Sequence, residues 1–369
     1  MLKNKYSTNY KKSPTFIDLF CGAGGMSLGC TQAGAVPIAA LDCDVDSIDT
    51  YKKMFGLCDD VQCVKIEEWQ TKKPINGVDI IIGGPPCQGF SNAGHRFIDD
   101  PRNKLYKYFV SAVDRFKPQW FVMENVPGII SIGNGSVLKQ IYEDFEAIGY
   151  KLTHRIINMA EFGVPQSRKR TIFVGNRLGK EFIWPEPEYT KAKKGQEEWE
   201  AGNFMTVSMA IDDLPWPTGN YFSHRANSQM RGPRNRDILL QPAFTLRVRG
   251  DEFAFCENPA TGAFSPDECP EMPMFYYPCK NDLQAMYRED PPKWRKGYIK
   301  PETVAEEKNL PLHGTRRVAI REQARLQGFP DWFEFSGNRV SQSRQIGNAV
   351  PPIFAKALFA KIIEQLDRN

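Results

Sequence analysis

The chain has 369 residues, 41% of them hydrophobic and 25% charged, with a formal net charge of +4. That length can bury a large core and admits two domains, while so small a charge neither establishes nor excludes a nucleic-acid partner. The nine cysteines are odd in number, scattered and without a C-x-x-C pair; they exclude a disulfide-stapled scaffold and read as free thiols in a reducing compartment.

The four histidines, His95, His154, His224 and His313, stand far apart, so no metal is expected. The amino terminus "MLKNKYSTNYKKSP" is basic and polar, and no apolar core of signal-peptide length follows it. No stretch approaches the ~20 apolar residues of a membrane span. A soluble, cytoplasmic protein without a membrane partner is the expectation.

In chain order, "PTFIDLF", "VPIAALDCD", "VDIIIGG" and "PQWFVMENV" read as buried strands. "NKLYKYFVSAVDRF" reads as a helix, with Leu105, Phe109, Val113 and Phe116 on one face. The alternation predicts α/β architecture: a doubly wound, mostly parallel, Rossmann-like sheet with helices on both faces. From about residue 180 prolines punctuate a segment with few clear periods, which predicts a second, smaller and irregular domain. "REQARLQGF" and "PIFAKALFAKIIEQL" then return to helical spacing.

Three short stretches carry chemistry. "FIDLFCGAGGMSLG" runs from a strand into Gly22, Gly24 and Gly25 and then a helix; such glycines let backbone approach a ligand at the carboxyl end of a strand, and a bland tight turn fits the spacing equally well. "ALDCD" places Asp42 and Asp44 about 20 residues later, where a carboxylate accepts from a ribose, which favours a nucleoside-containing cofactor over a solvated strand-end acid. "GGPPCQGFSNAG" holds Cys87 behind Pro85 and Pro86 and between glycines, a stiff mount that favours a nucleophile over a buried structural thiol.

With the first and third of these stretches go "ENVPG" at 124–128, "QSRKR" at 166–170, "REQARLQGFP" at 321–330 and "QIGNAVPP" at 345–352. Six motifs in this order resemble the DNA (cytosine-5) methyltransferases and cover the chain except roughly 180–312. The resemblance implies the S-adenosylmethionine-dependent methyltransferase fold. Its catalytic and cofactor-binding domain spans 1–180, completed by 340–369, and a target-recognition domain spans 181–339, with a variable part at about 181–312.

It further implies that Cys87 attacks carbon 6 of cytosine, that Glu124 serves nitrogen 3 in a protonated form favoured by desolvation, and that Arg170 contacts the base while Arg168 supports the loop. In an extended segment the two arginines share a face and Lys169 points away. Asp18, Phe20, Gly22, Gly24, Gly25, Asp42, Pro86 and Asn348 are implied at the cofactor, S-adenosyl-L-methionine, which leaves as S-adenosyl-L-homocysteine.

The target base must be flipped out of the duplex, and Gln88, Ser91 and Arg96 lie on the loop implied to close behind it. Arg231, Arg234, Arg236, Arg247 and Arg249 cluster in the middle segment with Arg225 just ahead. That clustering is the pattern of phosphate contact and guanine readout, against a solvated basic loop as the alternative. Thr245-Leu246 resembles the family's Thr-Leu pair beside the target phosphate.

Two positions depart from the family. Lys65-Ile66 stands where an Asp-Ile pair meets adenine, and Cys43 where some relatives stack a large side chain. Duplex DNA is the expected partner of a monomer, and a cognate restriction endonuclease would lie outside this chain. Transfer-RNA methylation by the same fold, a non-catalytic DNA-binding relative and a small-metabolite methyltransferase are the competing readings.

Overall fold

The computed structural model describes residues 13–69, 75, 77–86, 105–189, 204–211, 214, 242–246, 253–255 and 315–367. Its first part runs β1 (Thr15–Leu19), α1 (Gly25–Gln32), β2 (Val36–Asp42), α2 (Val45–Met54), β3 (Asp60–Cys63), β4 (Ile80–Gly83), α3 (Leu105–Phe116), β5 (Trp120–Asn125), α4 (Ser136–Ala147), β6 (Lys151–Asn158), β7 (Gln166–Ser167) and β8 (Lys169–Asn176). There follow α5 (Val207–Ile211), β9 (Ala243–Phe244), β10 (Phe253–Phe255), β11 (Thr315–Arg317), α6 (Ile320–Leu326), α7 (Arg339–Asn348) and α8 (Pro352–Gln365).

Seven strands form one sheet in the order β3-β2-β1-β4-β5-β8-β6. β1 to β5 pair in parallel, and β8 runs antiparallel to both β5 and β6. The four strands expected from apolar runs are β1, β2, β4 and β5, at its centre. Strand order reverses between β1 and β4, and open α/β sheets bind ligands outside the carboxyl ends at such a switch point.

The sheet buries both faces, which is why its central strands are apolar almost without alternation. On one face α1 and α8 pack on Phe16, Ile80, Ile82, Trp120 and Val122. On the other α3 and α4 pack on Ile17, Leu19, Ile81, Phe121 and Met123. α8 is helical because Pro351 and Pro352 fit a helix start and Phe354, Leu358, Phe359, Ile362 and Ile363 recur on one buried face. α1 and α8 approach closely because Gly29 has no side chain; a Cβ there would lie 2.4 Å from that of Ala355.

Arg339–Gln365 is long and apolar enough, by composition, to cross a membrane. It is two helices separated at Ala349–Pro351, and 61% of its apolar window is buried inside the protein. Val318, Ala324, Leu326, Phe329, Phe333 and Phe335, placed in the smaller domain from the sequence, share a cluster with Leu28 of α1 and Ile48, Tyr51 and Phe55 at α2. Two short pairings, β7 with β9 in parallel and β10 with β11 antiparallel, tie in the described parts of the middle segment.

Candidate active site

The carboxyl ends of β1, β2, β4 and β5 open into a cleft of about 570 Å³, within the size range of small-molecule sites. Asp18, Phe20, Gly22, Gly25, Asp42, Pro86, Glu124, Arg168, Arg170 and Asn348 all line it. Six separate stretches of sequence, from residue 18 to residue 348, therefore meet at one surface.

At one end, β1 stops at Phe20, whose φ of 62° is a left-handed conformation rare for an aromatic residue. The turn that follows is held to the end of β2: Asp42 Oδ2 accepts from the Gly22 N–H at 2.9 Å, and Oδ1 from the Asp44 N–H at 2.9 Å. The Asp42 carboxylate is thus fixed at the wall of the cleft. Burial pushes its pKa up, opposed by those two donors.

Gly24 lines no part of the cleft; it adopts φ 87°, and a Cβ there would meet Phe55 at 2.4 Å. Its role is to let the turn close onto α2. Asp44 caps α2 by accepting from the Ser47 N–H at 2.9 Å, and its other oxygen pairs with Arg344 of α7 at 2.6 Å.

Beneath this end Asp18, 1% exposed, accepts from Ser27 Oγ at 2.5 Å, and Ser27 Oγ lies 2.8 Å from Tyr51 Oη. Burial raises the Asp18 pKa to about 8, the Ser27 hydrogen bond lowers it and the Asp42 charge raises it further. Cys43, Val64, Lys65, Ile66 and Glu67 form the outer wall. Asp60 is buried at the start of β3, bonded to Gln62, and does not line the cleft.

At the other end Glu124, next to last in β5, and Arg170, second in β8, form an ion pair of 2.8 Å between Oε1 and Nε. Glu124 is therefore a paired carboxylate, but one with side-chain exposure of only 12%, inside the cleft and not on the outer surface. Arg168 is 1% exposed; its Nη2 donates to the Gly347 carbonyl at 2.9 Å, while Nε and Nη1 find no hydrogen-bond partner among the described residues. Burial and the neighbouring Arg170 charge pull its pKa below the usual arginine range. Lys169 points away, exposed.

Cys87, Gln88, Ser91, Arg96, Arg231, Arg234, Arg236, Arg247 and Arg249 lie outside the described residues. Gly84, Pro85 and Pro86, which precede Cys87 in sequence, line the cleft, and Asn125 Nδ2 holds this stretch by donating to the Pro85 carbonyl at 3.2 Å. Thr245 donates its hydroxyl to the Ser167 carbonyl at 2.7 Å, which anchors the middle segment beside the arginine strand.

Asn125, Arg344 and Gln166 are site-building residues that the sequence reading did not single out. Each adjoins or belongs to a quoted motif, and that adjacency was the available signal. Among the described residues no cluster of His, Cys, Asp and Glu could hold a metal ion.

The chain is 33% identical over 365 residues to the Type II methyltransferase M1.HphI of Haemophilus parahaemolyticus, covering 96% of this chain and 88% of that protein. It is 33% identical over 385 residues to M.XorII of Xanthomonas oryzae pv. oryzae, covering 96% and 86%. Among solved structures, the S. pombe Dnmt2 methyltransferase superposes with a TM-score of 0.59 at 16% identity, covering 95% of this chain and 98% of that one, a likeness of fold. Residues 14–364 match the model of the C-5 cytosine-specific DNA methylases, and the chain belongs to that family.

Proposed function

We propose that the chain methylates carbon 5 of a cytosine flipped out of duplex DNA, at a specific sequence, with S-adenosylmethionine as donor. The observation that carries this reading is the pairing, in one cleft, of the backbone-fixed Asp42 carboxylate with a largely buried Glu124–Arg170 pair and with Arg168, whose Nε–H and Nη1–H find no partner among the described residues.

The residues present fit the cofactor. In this reading Asp42 would accept from the ribose hydroxyls, the apolar Phe20, Val64 and Ile66 would flank adenine, and Asn348 would serve the amino-acid end; all five line the cleft. When bound, the cofactor supplies an electrophilic methyl group.

The protein's own part is to make the cytosine ring a nucleophile. Carbon 5 reacts only after a thiolate adds to carbon 6, the role we assign to Cys87. A thiol of ordinary pKa is only a few per cent ionised near neutral pH, so the site must favour the thiolate. Arg168 is a buried cation with two idle donors, and an anion or a carbonyl oxygen is what such a group lacks.

In this assignment Arg170 and Arg168 hold the base's exocyclic oxygen and the charge that develops on the ring. Glu124 exchanges its bond to Arg170 for one to nitrogen 3 and shares with it a proton taken up as the Cys87 thiol is deprotonated. After transfer a base removes the carbon 5 proton and the carbon–sulfur bond breaks, which returns Cys87. Asn125 keeps the Pro85 carbonyl, and so the root of the Cys87 loop, in place throughout.

The arginines of the middle segment supply phosphate contact and base readout, with Thr245 as the segment's anchor. The likeness to Type II methyltransferases supports a place in a restriction–modification system. Transfer of a labelled methyl group to unmethylated phage DNA, with the modified positions read by bisulfite sequencing, tests the assignment. Equal or greater incorporation into transfer RNA would move it to the RNA-modifying reading.

A further inference from the structure

Gln166 and Gln327 are 0% exposed, and neither touches the cleft. Their carboxamides form a head-to-tail chain. The Leu246 N–H donates to Gln166 Oε1 at 2.9 Å; Gln166 Nε2 donates to Gln327 Oε1 at 2.5 Å and to the Leu326 carbonyl at 3.2 Å; Gln327 Nε2 donates to the Ala349 carbonyl at 2.5 Å. Each link fixes the orientation of the next, because an amide that donates forward must accept from behind. Aligned hydrogen bonds of this kind polarise one another in a dry interior.

The ends of the chain matter more than its middle. Leu246 follows Thr245, the point where the middle segment is anchored to the arginine strand. Ala349 closes the turn 347–349, whose other two carbonyls, Gly347 and Asn348, accept from Arg168. Asn348 faces the cofactor end of the cleft. The same five-residue motif, "QSRKR", therefore grips the cofactor turn twice, directly through Arg168 and indirectly through Gln166 and Gln327.

The geometry points to Gln166 and Gln327 as positioning residues that couple the target-binding segment to the cofactor turn, so that the fit of the DNA site and the hold on the cofactor depend on one another. This rests on reading the cleft as the S-adenosylmethionine site and residues 242–246 as part of the target-binding segment. Coupling between two binding events is reciprocal, so damage to either amide must appear at both ends.

The test uses the full chain and its Gln327→Met, Gln166→Met and doubly substituted variants, in methyl transfer to unmethylated phage DNA. Gln342→Ala is the control, since its half-buried amide donates to the Phe335 carbonyl, outside the chain of amides. We expect each single variant to raise the KM for S-adenosylmethionine by about three- to tenfold, the size of one lost neutral hydrogen bond, and also to spread bisulfite-detected methylation to sites that differ from the wild-type sequence.

The double variant should be no worse than the poorer single one, because both break one chain, and Gln342→Ala should change neither readout. If Gln327→Met alters only the cofactor KM and Gln166→Met only site fidelity, or if their effects add, the coupling does not exist. A lowered active fraction with unchanged KM and unchanged sites is plain destabilisation and overturns it too. Should Gln166→Met fail to fold, Gln166→Asn, which keeps the amide but shortens its reach, carries the same comparison. A wild type that binds S-adenosylhomocysteine but methylates no DNA overturns the functional reading itself, and the coupling with it.

Discussion

Arg170 Nε and Glu124 Oε1 lie 2.8 Å apart, with side chains 16% and 12% exposed. They come from β8 and β5, adjacent strands that run antiparallel, so the pair is set by the sheet and not by a loop. A partly buried pair of this kind is costly to break on one side only, because the remaining charge is left without compensation.

Replacing Glu124 by Gln should keep the shape, remove the exchangeable proton and lower kcat by about 10²- to 10⁴-fold, the usual worth of a positioned acid–base group. Arg170→Lys should also lose activity, since an ammonium lacks the planar fork. Single-turnover methyl transfer with saturating cofactor measures both. Near wild-type rates for Glu124→Gln would remove Glu124 from the chemistry.

Asp42→Ala removes the carboxylate that holds the Gly22 and Asp44 N–H groups and faces the cleft. Loss of charge-assisted hydrogen bonds is worth about 1.5–3 kcal/mol, so affinity for S-adenosylhomocysteine should fall by about tenfold or more. Calorimetric titration measures it. Unchanged affinity would place the ribose elsewhere.

The Asp18 pKa of about 8 gives a pH dependence with a definite sign. The native carboxyl holds its proton where the unfolded one, near the ordinary aspartate value of about 4, has released it. Its contribution is therefore full below that value, declines as pH rises toward 8 and levels off above it. Asp18→Asn removes the titration, so the variant's stability relative to wild type should rise between about pH 5 and 8 and then level off. Urea midpoints across that range provide the test; a parallel pair of curves would contradict it.

Much of the fold was legible because β1, β2, β4 and β5 are buried on both faces and read as apolar runs. β3 was not, since "DVQC" is four residues with a polar alternation. β6 was hidden for a related reason: an edge strand, it carries exposed Lys151, Arg155 and Ile156 among its buried positions. The cleft residues were legible as motifs. The supports between motifs were not: Asp44 and Arg344 are 300 residues apart, and Gln166 and Gln327 are 161 apart. A single amide contact or ion pair between residues far apart leaves no periodic trace in a sequence.

The α8 face offers a stability prediction that leaves the cleft untouched. Phe354 is 0% exposed and packs edge-on against Phe162 with ring centroids 5.1 Å apart. Phe354→Ala should cost about 3–5 kcal/mol, read from denaturant unfolding, and leave the cofactor KM of the folded fraction unchanged. A cost below about 1 kcal/mol would mean that α8 is not part of the main core.

The most direct measurement is covalent trapping. Duplex DNA of random sequence carrying 5-fluorocytosine is incubated with S-adenosylmethionine and either the wild type or Cys87→Ser. Fluorine at carbon 5 cannot leave as a proton does, so a thiolate that has added to carbon 6 stays bonded to the base. The wild type should form a denaturation-resistant protein–DNA complex and Cys87→Ser none, with the trapped duplexes sharing one sequence. Binding of the duplex by both proteins without any covalent complex would contradict the assignment of Cys87 as the nucleophile.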